Sequence, residues 1–213
     1  MKRLATILCS LLACLSLVAQ TNSDNTIKFL GIPVDGSKEQ MIKELKNKGF
    51  KYNPQFDNLS GRFNGKDSNI YISTNNGKVD RVYVASSVLE DEASIRISYN
   101  NLLYQFKKND KYFTFEEPQP IPDDENISYE MLVHKKRYDT SFYLKVNFTE
   151  EELREMEEKT SNMTEDEANL YLGTKALENI SGQVWFTISE HYGKYYISLY
   201  YDNLKNRANG EDL

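Results

Sequence analysis

The sequence predicts an α+β protein, an antiparallel β-sheet built from hairpins with helices packed on one face. Three observations carry that prediction. Turn signals join consecutive strand-like stretches, the Asn-Gly pair in Asn75-Asn76-Gly77-Lys78 being the strongest. Strands and helices do not alternate in the way a parallel sheet requires. The chain also holds 15 Tyr and 10 Phe beside one Trp, and such aromatics suit half-buried strands.

Residues 1–19 read as a cleavable signal peptide. Met1-Lys2-Arg3 supplies a positive start, and a 16-residue apolar run from Leu4 to Ala19 follows. A membrane-spanning helix needs roughly 20 mostly apolar residues, and nothing later in the chain reaches that length, so no mature transmembrane segment is expected. Two cleavage readings stay open. Cutting after Ala19 releases a periplasmic or secreted protein. Alternatively, Leu11-Leu12-Ala13-Cys14 serves as a lipobox, and a lipidated Cys14 anchors an outer-membrane lipoprotein; the residues after Cys14 are still apolar, where a lipoprotein normally turns polar. Cys9 and Cys14 are the only cysteines, so cleavage after Ala19 leaves a thiol-free chain held by its core alone. Removing Lys2 and Arg3 takes the formal net charge from −6 to about −8. That acidity argues against nucleic acid and anionic membrane as partners.

Residues 20–26 read as a disordered leader, 27–203 as a single α+β domain and 204–213 as a frayed tail. Ile27 to Ile32 is a candidate strand ended by Pro33. Ser37 with Gln40 fits a capping box opening a helix whose Met41, Ile42 and Leu45 share a face, with Gly49 as its C-terminal stop. Strands follow at 59–63, 69–73 and 79–85. A second helix over 88–107 places Ile95, Tyr99, Leu102, Leu103 and Phe106 in one core-facing stripe. Tyr112 to Phe115 is a strand, and the proline-rich 116–124 an extended loop. Tyr129–His134 and Phe142–Val146 read as the next hairpin. Thr149 with Glu152 and Thr164 with Glu167 cap two helices. Val184–Ser189 and Tyr195–Tyr201 close the chain as a hairpin. An echo between Asn58-Leu59-Ser60-Gly61 and Asn179-Ile180-Ser181-Gly182 raises a degenerate internal duplication.

The run Phe29-Leu30-Gly31-Ile32-Pro33-Val34-Asp35-Gly36, then a short helix ending Lys48-Gly49-Phe50, resembles the opening of small exported, uncharacterised proteins of gut Bacteroidetes. That likeness implies export and a compact α+β domain. Gly36-Ser37-Lys38-Glu39-Gln40-Met41 before a hairpin is similar to the helix-hairpin unit of the SmpA/BamE assembly lipoproteins and of beta-lactamase inhibitory protein. It is one residue shorter than their start and lacks its Thr. The second likeness implies a binding or scaffolding role.

Catalytic signals are sparse. The two histidines, His134 and His191, stand apart at strand ends or turns, and no Gly-x-Ser-x-Gly elbow, Walker-type loop or Gly-x-Gly-x-x-Gly occurs. Asp123-Asp124-Glu125 and Glu150-Glu151-Glu152 lack the spaced ligands and mid-loop Gly of a calcium loop. No metal or cofactor is therefore expected. In the last hairpin Val184, Phe186, Ile188, Ile197 and Leu199 alternate onto a core face. Trp185, Thr187, Ser189, Tyr196, Ser198 and Tyr200 take the other. Trp185, Tyr196 and Tyr200 are the candidate ligand-binding residues, because a mixed aromatic and hydroxyl strip can stack on sugar rings or hold a peptide. The bland alternative is the outer face of an ordinary sheet. The leading expectation is an exported non-enzymatic module binding a protein or glycan of the cell envelope. The alternative is an envelope hydrolase whose carboxylate pair cannot be picked out among 32 acidic residues.

Overall fold

The computed structural model describes residues 25–207. In chain order its elements are β1 (Lys28–Phe29), β2 (Ile32–Pro33), α1 (Lys38–Asn47), β3 (Lys51–Asn53), β4 (Asn58–Phe63), β5 (Lys66–Asn75), β6 (Lys78–Ser86), α2 (Glu92–Lys107), β7 (Tyr112–Phe113), α3 (Ile127–Val133), β8 (Asp139–Leu144), α4 (Glu150–Thr160), α5 (Glu165–Glu178), β9 (Gly182–His191) and β10 (Lys194–Asn203). Strands β3 to β10 form one antiparallel sheet in the order β3-β4-β5-β6-β10-β9-β8-β7. The α+β class is as the sequence predicts. A helix followed by four meandering strands occurs twice, as α1 with β3–β6 and as α2 with β7–β10. The two meanders meet antiparallel at the β6–β10 seam, where Tyr83 pairs with Tyr200. The echoing Asn-x-Ser-Gly segments fall on β4 and on the turn from α5 into β9, which are not equivalent positions of this repeat.

One sheet face holds the core. Met41 and Leu45 of α1, Ile95, Tyr99, Leu102, Leu103 and Phe106 of α2, and Ile127 of α3 pack against inward residues of β5, β6, β9 and β10, among them Ile70, Val82, Val84, Phe186 and Leu199. Period-2 alternation places those strand residues on one side. Burying each such side chain contributes about 1.5–3 kcal/mol. Helices α4 and α5 connect β8 to β9, where the first half has only the Asn64-Gly65 turn. Their buried residue, Met156, lies outside the main core cluster.

Local signals account for most boundaries. Asn76 and Gly77 sit at φ 49° and 76°, the doubly positive turn whose twist matches a hairpin. Tyr192 and Gly193 repeat it between β9 and β10 at φ 50° and 73°. Both Thr-x-x-Glu capping boxes are complete in each direction. At α1 the box is half made. Ser37 Oγ accepts from the Gln40 amide at 3.2 Å, but Gln40 Nε2 donates onward to Glu44 Oε1 at 2.8 Å.

Two expectations are corrected. The run 27–32 is not one strand: Leu30 and Gly31 turn at φ 51° and 81°, splitting it into the β1–β2 hairpin with Pro33 inside β2. Residues 129–134 are not a strand but the end of helix α3 and its cap. Asn126 Oδ1 accepts from the Tyr129 amide at 2.8 Å, and the Glu92 carboxylate accepts from the Ile127 and Ser128 amides at 2.8 and 3.3 Å and from the Ser128 hydroxyl. An acid at a helix N-terminus satisfies orphan donors and complements the helix dipole. Strand β8 therefore pairs with β9 and β7 instead.

A β-bulge falls in β6. Ser73 pairs with Arg81 but Thr74 pairs with Val79, leaving Asp80 as the extra residue. Val79, Val82 and Val84 all face the core, a spacing of three and then two that only an extra residue can reconcile with the pleat.

Candidate functional site

The sheet face opposite the main core carries a ladder of four aromatic rings. Asn58, Tyr71, Tyr83, Tyr200, Trp185 and Ser141 occupy one rung, each directly opposite the next across β4, β5, β6, β10, β9 and β8. Cross-strand neighbours lie close enough for their side chains to touch. Tyr71 stacks on Tyr83 at 5.5 Å between centroids, Tyr83 on Tyr200 at 4.7 Å, and Tyr200 on Trp185 at 3.8 Å, with interplanar angles of 20°, 12° and 8°. The ladder is centred on the seam: Tyr71 and Tyr83 come from the first half of the fold, Tyr200 and Trp185 from equivalent strands of the second.

The adjoining rung is polar and locked. Arg81 Nε and Nη2 donate to the two carboxylate oxygens of Asp202 at 2.6 and 2.8 Å, and Trp185 Nε1 donates to Asp202 Oδ2 at 3.0 Å. The Asp202 carboxylate thereby raises the Arg81 pKa. The guanidinium carbon lies 5.3 Å from the Tyr200 ring centroid and 5.7 Å from that of Trp185, next to the end of the stack. Asp202 is 2% exposed, so its charge is held by these three donors.

On the other side of the ladder the Ser189 and Ser198 hydroxyls lie 2.8 Å apart, and the Tyr83 hydroxyl lies 3.3 Å from Ser198 Oγ. Burial, reinforced by Tyr196 and Tyr200 and opposed by the Ser198 hydrogen bond, leaves the Tyr83 phenol pushed up to about 12. It is therefore neutral at ordinary pH.

Trp185 and Tyr200 thus lie together in the ladder. Tyr196 is on the same face two outward positions before Tyr200, next to the Tyr83 hydroxyl, and is not one of the stacked rings. Tyr71, Tyr83, Arg81 and Asp202 complete the face and were not singled out in sequence. The signal was present as Tyr71 between Ile70 and Ile72 and Tyr83 between Val82 and Val84. Only the register brings them beside the last hairpin.

The geometry bears on how the rings could be used. Sugar stacking needs open ring faces, and here most faces are spent on neighbouring rings. What the stacking leaves uncovered is ring edges, with Tyr71, 37% exposed, at the open end. Cys14 lies outside the described residues. His134 sits at the end of α3 with Nδ1 2.9 Å from Glu130 Oε2, and His191 packs edge-on against Tyr192. Among the described residues, no group of three or more His, Cys, Asp or Glu is placed to hold a metal ion. No described helix is long and apolar enough to cross a membrane.

Fold and face together define the class: an α+β domain of two helix-plus-meander halves, with an aromatic ladder across the seam of its open sheet face. No family model, curated protein or solved structure matches the chain.

Proposed function

We propose that the protein is an exported, non-enzymatic binding module that recognises a protein partner on the outer face of its sheet. The self-stacked ladder carries this reading. Four rigid rings fixed on one rung offer a preorganised strip of ring edges and tyrosine hydroxyls that loses little side-chain freedom on binding. Edges carry the positive end of the ring quadrupole and suit carbonyls and carboxylates of a polypeptide better than the C–H face of a sugar. A binding or scaffolding role is also what the likeness to the SmpA/BamE helix-hairpin unit implies.

Hydrolysis by a carboxylate pair is less well supported. It calls for a general acid with a raised pKa. Asp35, Asp57, Asp91, Glu92, Glu125 and Glu167 all move downward. Hydrogen bonds from neighbouring donors lower five of them. At Glu92 burial pushes upward, and the bonds from Ser128 and Ile127 outweigh it.

The test is a paired screen of the purified chain against a displayed peptide library and a glycan array. Saturable peptide binding that is lost in Tyr71→Ala and weakened at least tenfold in Tyr200→Phe supports the reading. Glycan binding that depends on the same residues, with no peptide enriched, would overturn it.

A further inference from the structure

A cleft of about 330 Å³ opens beside the ladder, lined by Thr74, Asn75, Asp80, Arg81, Asp202 and Arg207. Its volume is at the small end of ligand pockets, room for a side chain more than for an extended ligand. The bulge in β6 makes it. Because Asp80 is the unpaired extra residue, Asp80 and Arg81 both leave the core side, and Asp80 lines the cleft with its Oδ1 buried in the wall.

The charges there are unequally committed. Arg81 and Asp202 hold each other through two hydrogen bonds and cancel. Asn75 Nδ2 is committed to the Asn206 carbonyl at 2.9 Å. Asp80 Oδ1 is buried and has no hydrogen-bond partner among the described residues. A buried carboxylate oxygen without a donor is uncommon in a folded protein and invites one from outside. Arg207 sits exposed at the rim, where water and salt screen its charge. The unspent group in the cleft is therefore an acceptor that has already lost its water.

We propose that this cleft receives a cationic side chain, a guanidinium or primary ammonium, from the protein partner seated on the ladder. This rests on the protein-binding reading above. The incoming N–H groups would satisfy Asp80 Oδ1, and Thr74 lies in the same wall. Its position next to the Arg81–Asp202 rung puts it at the margin of the aromatic strip, where a charged anchor fixes register. Arginine is also the charged residue most often found as an interface anchor.

The probe is N-acetyl-arginine methylamide, with the lysine and glutamate analogues beside it, titrated into the full chain and followed by backbone amide chemical shifts. The expected result is saturable millimolar binding of the two cations, with shifts centred on residues 74–75, 80–81 and 202, and none from the glutamate analogue. Asp80→Asn should weaken binding at least tenfold. Arg207→Ala should hold or tighten it, since it removes a like charge. The absence of saturable binding to the wild-type chain overturns the proposal. So does Asp80→Asn binding as wild type, or binding that emerges only in Arg207→Ala, which would mean Arg207 closes the cleft itself. No partner is needed for this titration, so its failure is separate from failure of the ladder screen.

Discussion

The Arg81–Asp202 pair allows a prediction in which burial decides the outcome. Asp202 is 2% exposed, whereas the Arg81 side chain is 30% exposed. Arg81→Ala leaves the carboxylate of Asp202 inside the sheet with the Trp185 indole N–H as its one remaining donor among the three described. Breaking a buried ion pair in this way costs about 3–5 kcal/mol. Asp202→Ala is the milder lesion. The freed guanidinium can swing toward water, and the loss reduces to a charge-assisted bond of about 1.5–3 kcal/mol and the partner of a half-buried indole. The order Arg81→Ala worse than Asp202→Ala is thus the discriminating claim. The double variant Arg81→Met with Asp202→Leu should recover most of the loss, because no unpaired charge remains. Thermal denaturation at neutral pH measures all three. In a chain of this size each kcal/mol moves the melting temperature by about 2–4 °C, so the two single variants should separate by several degrees. If Asp202→Ala proves the more damaging, or the double variant is worse than either single, burial is not what sets the cost.

Three further expectations follow from the geometry. A Cβ on Gly182 would sit 2.6 Å from Ile27 Cβ, whereas one on Gly61 would meet the Phe50 ring at 2.5 Å; Gly182→Ala should therefore cost about 2–3 kcal/mol, since no rotamer change moves a Cβ, and Gly61→Ala less because a ring can turn, as thermal melts of the two will show. Burial raises the pKa of Tyr83, Tyr99, Tyr138 and Tyr201 above the ordinary value of 10.0, so their contribution is complete below pH 10 and is lost as pH rises through the folded values; denaturation midpoints should fall from about pH 10 upward, together with the phenolate absorbance change. Thr149→Ala and Thr164→Ala should each remove about 1 kcal/mol of capping, but hydrogen exchange should show the loss within α4 and α5 while the sheet keeps its protection, because that hairpin is separate from the main core.

How far the fold could be read depended on how local its causes are. The two Thr-x-x-Glu capping boxes, the Asn76-Gly77 turn and the Ile95–Phe106 stripe are each specified locally, and each is found where the sequence puts it, whereas the Ser37–Gln40 box is only half made. Helix α3 had one local signal, the Asn126 cap, but its first amides are satisfied by Glu92, 35 residues earlier in the chain, which no window around 127 contains. The bulge was legible in principle as the break in alternation at Val79-Asp80-Arg81-Val82, but nothing nearby says what it is for. The strip in the last hairpin was visible as alternation. Its continuation through Tyr83 and Tyr71 was not, since it depends on β10 pairing with β6 some 115 residues away.

The rigidity of the face therefore depends on both halves of the fold. Each half of the fold contributes two adjacent strands to the ladder, so each supplies one aromatic pair, and neither pair alone spans the seam. Aromatic pairs contribute about 0.5–1.5 kcal/mol beyond their burial, and the central Tyr83–Tyr200 stack exists only when the halves are joined. The same rings therefore stabilise the junction of the two halves and form the surface offered to a partner. A substitution at Tyr83 should loosen the seam and blur the outer face together, whereas Tyr71, at the open end, can be changed with little effect on the junction. Separating those two effects, by comparing stability and peptide binding in Tyr83→Ala and Tyr71→Ala, distinguishes a face kept for recognition from one kept only to join two meanders. If Tyr71→Ala is silent in binding, the ladder's role is structural and the partner must seat elsewhere.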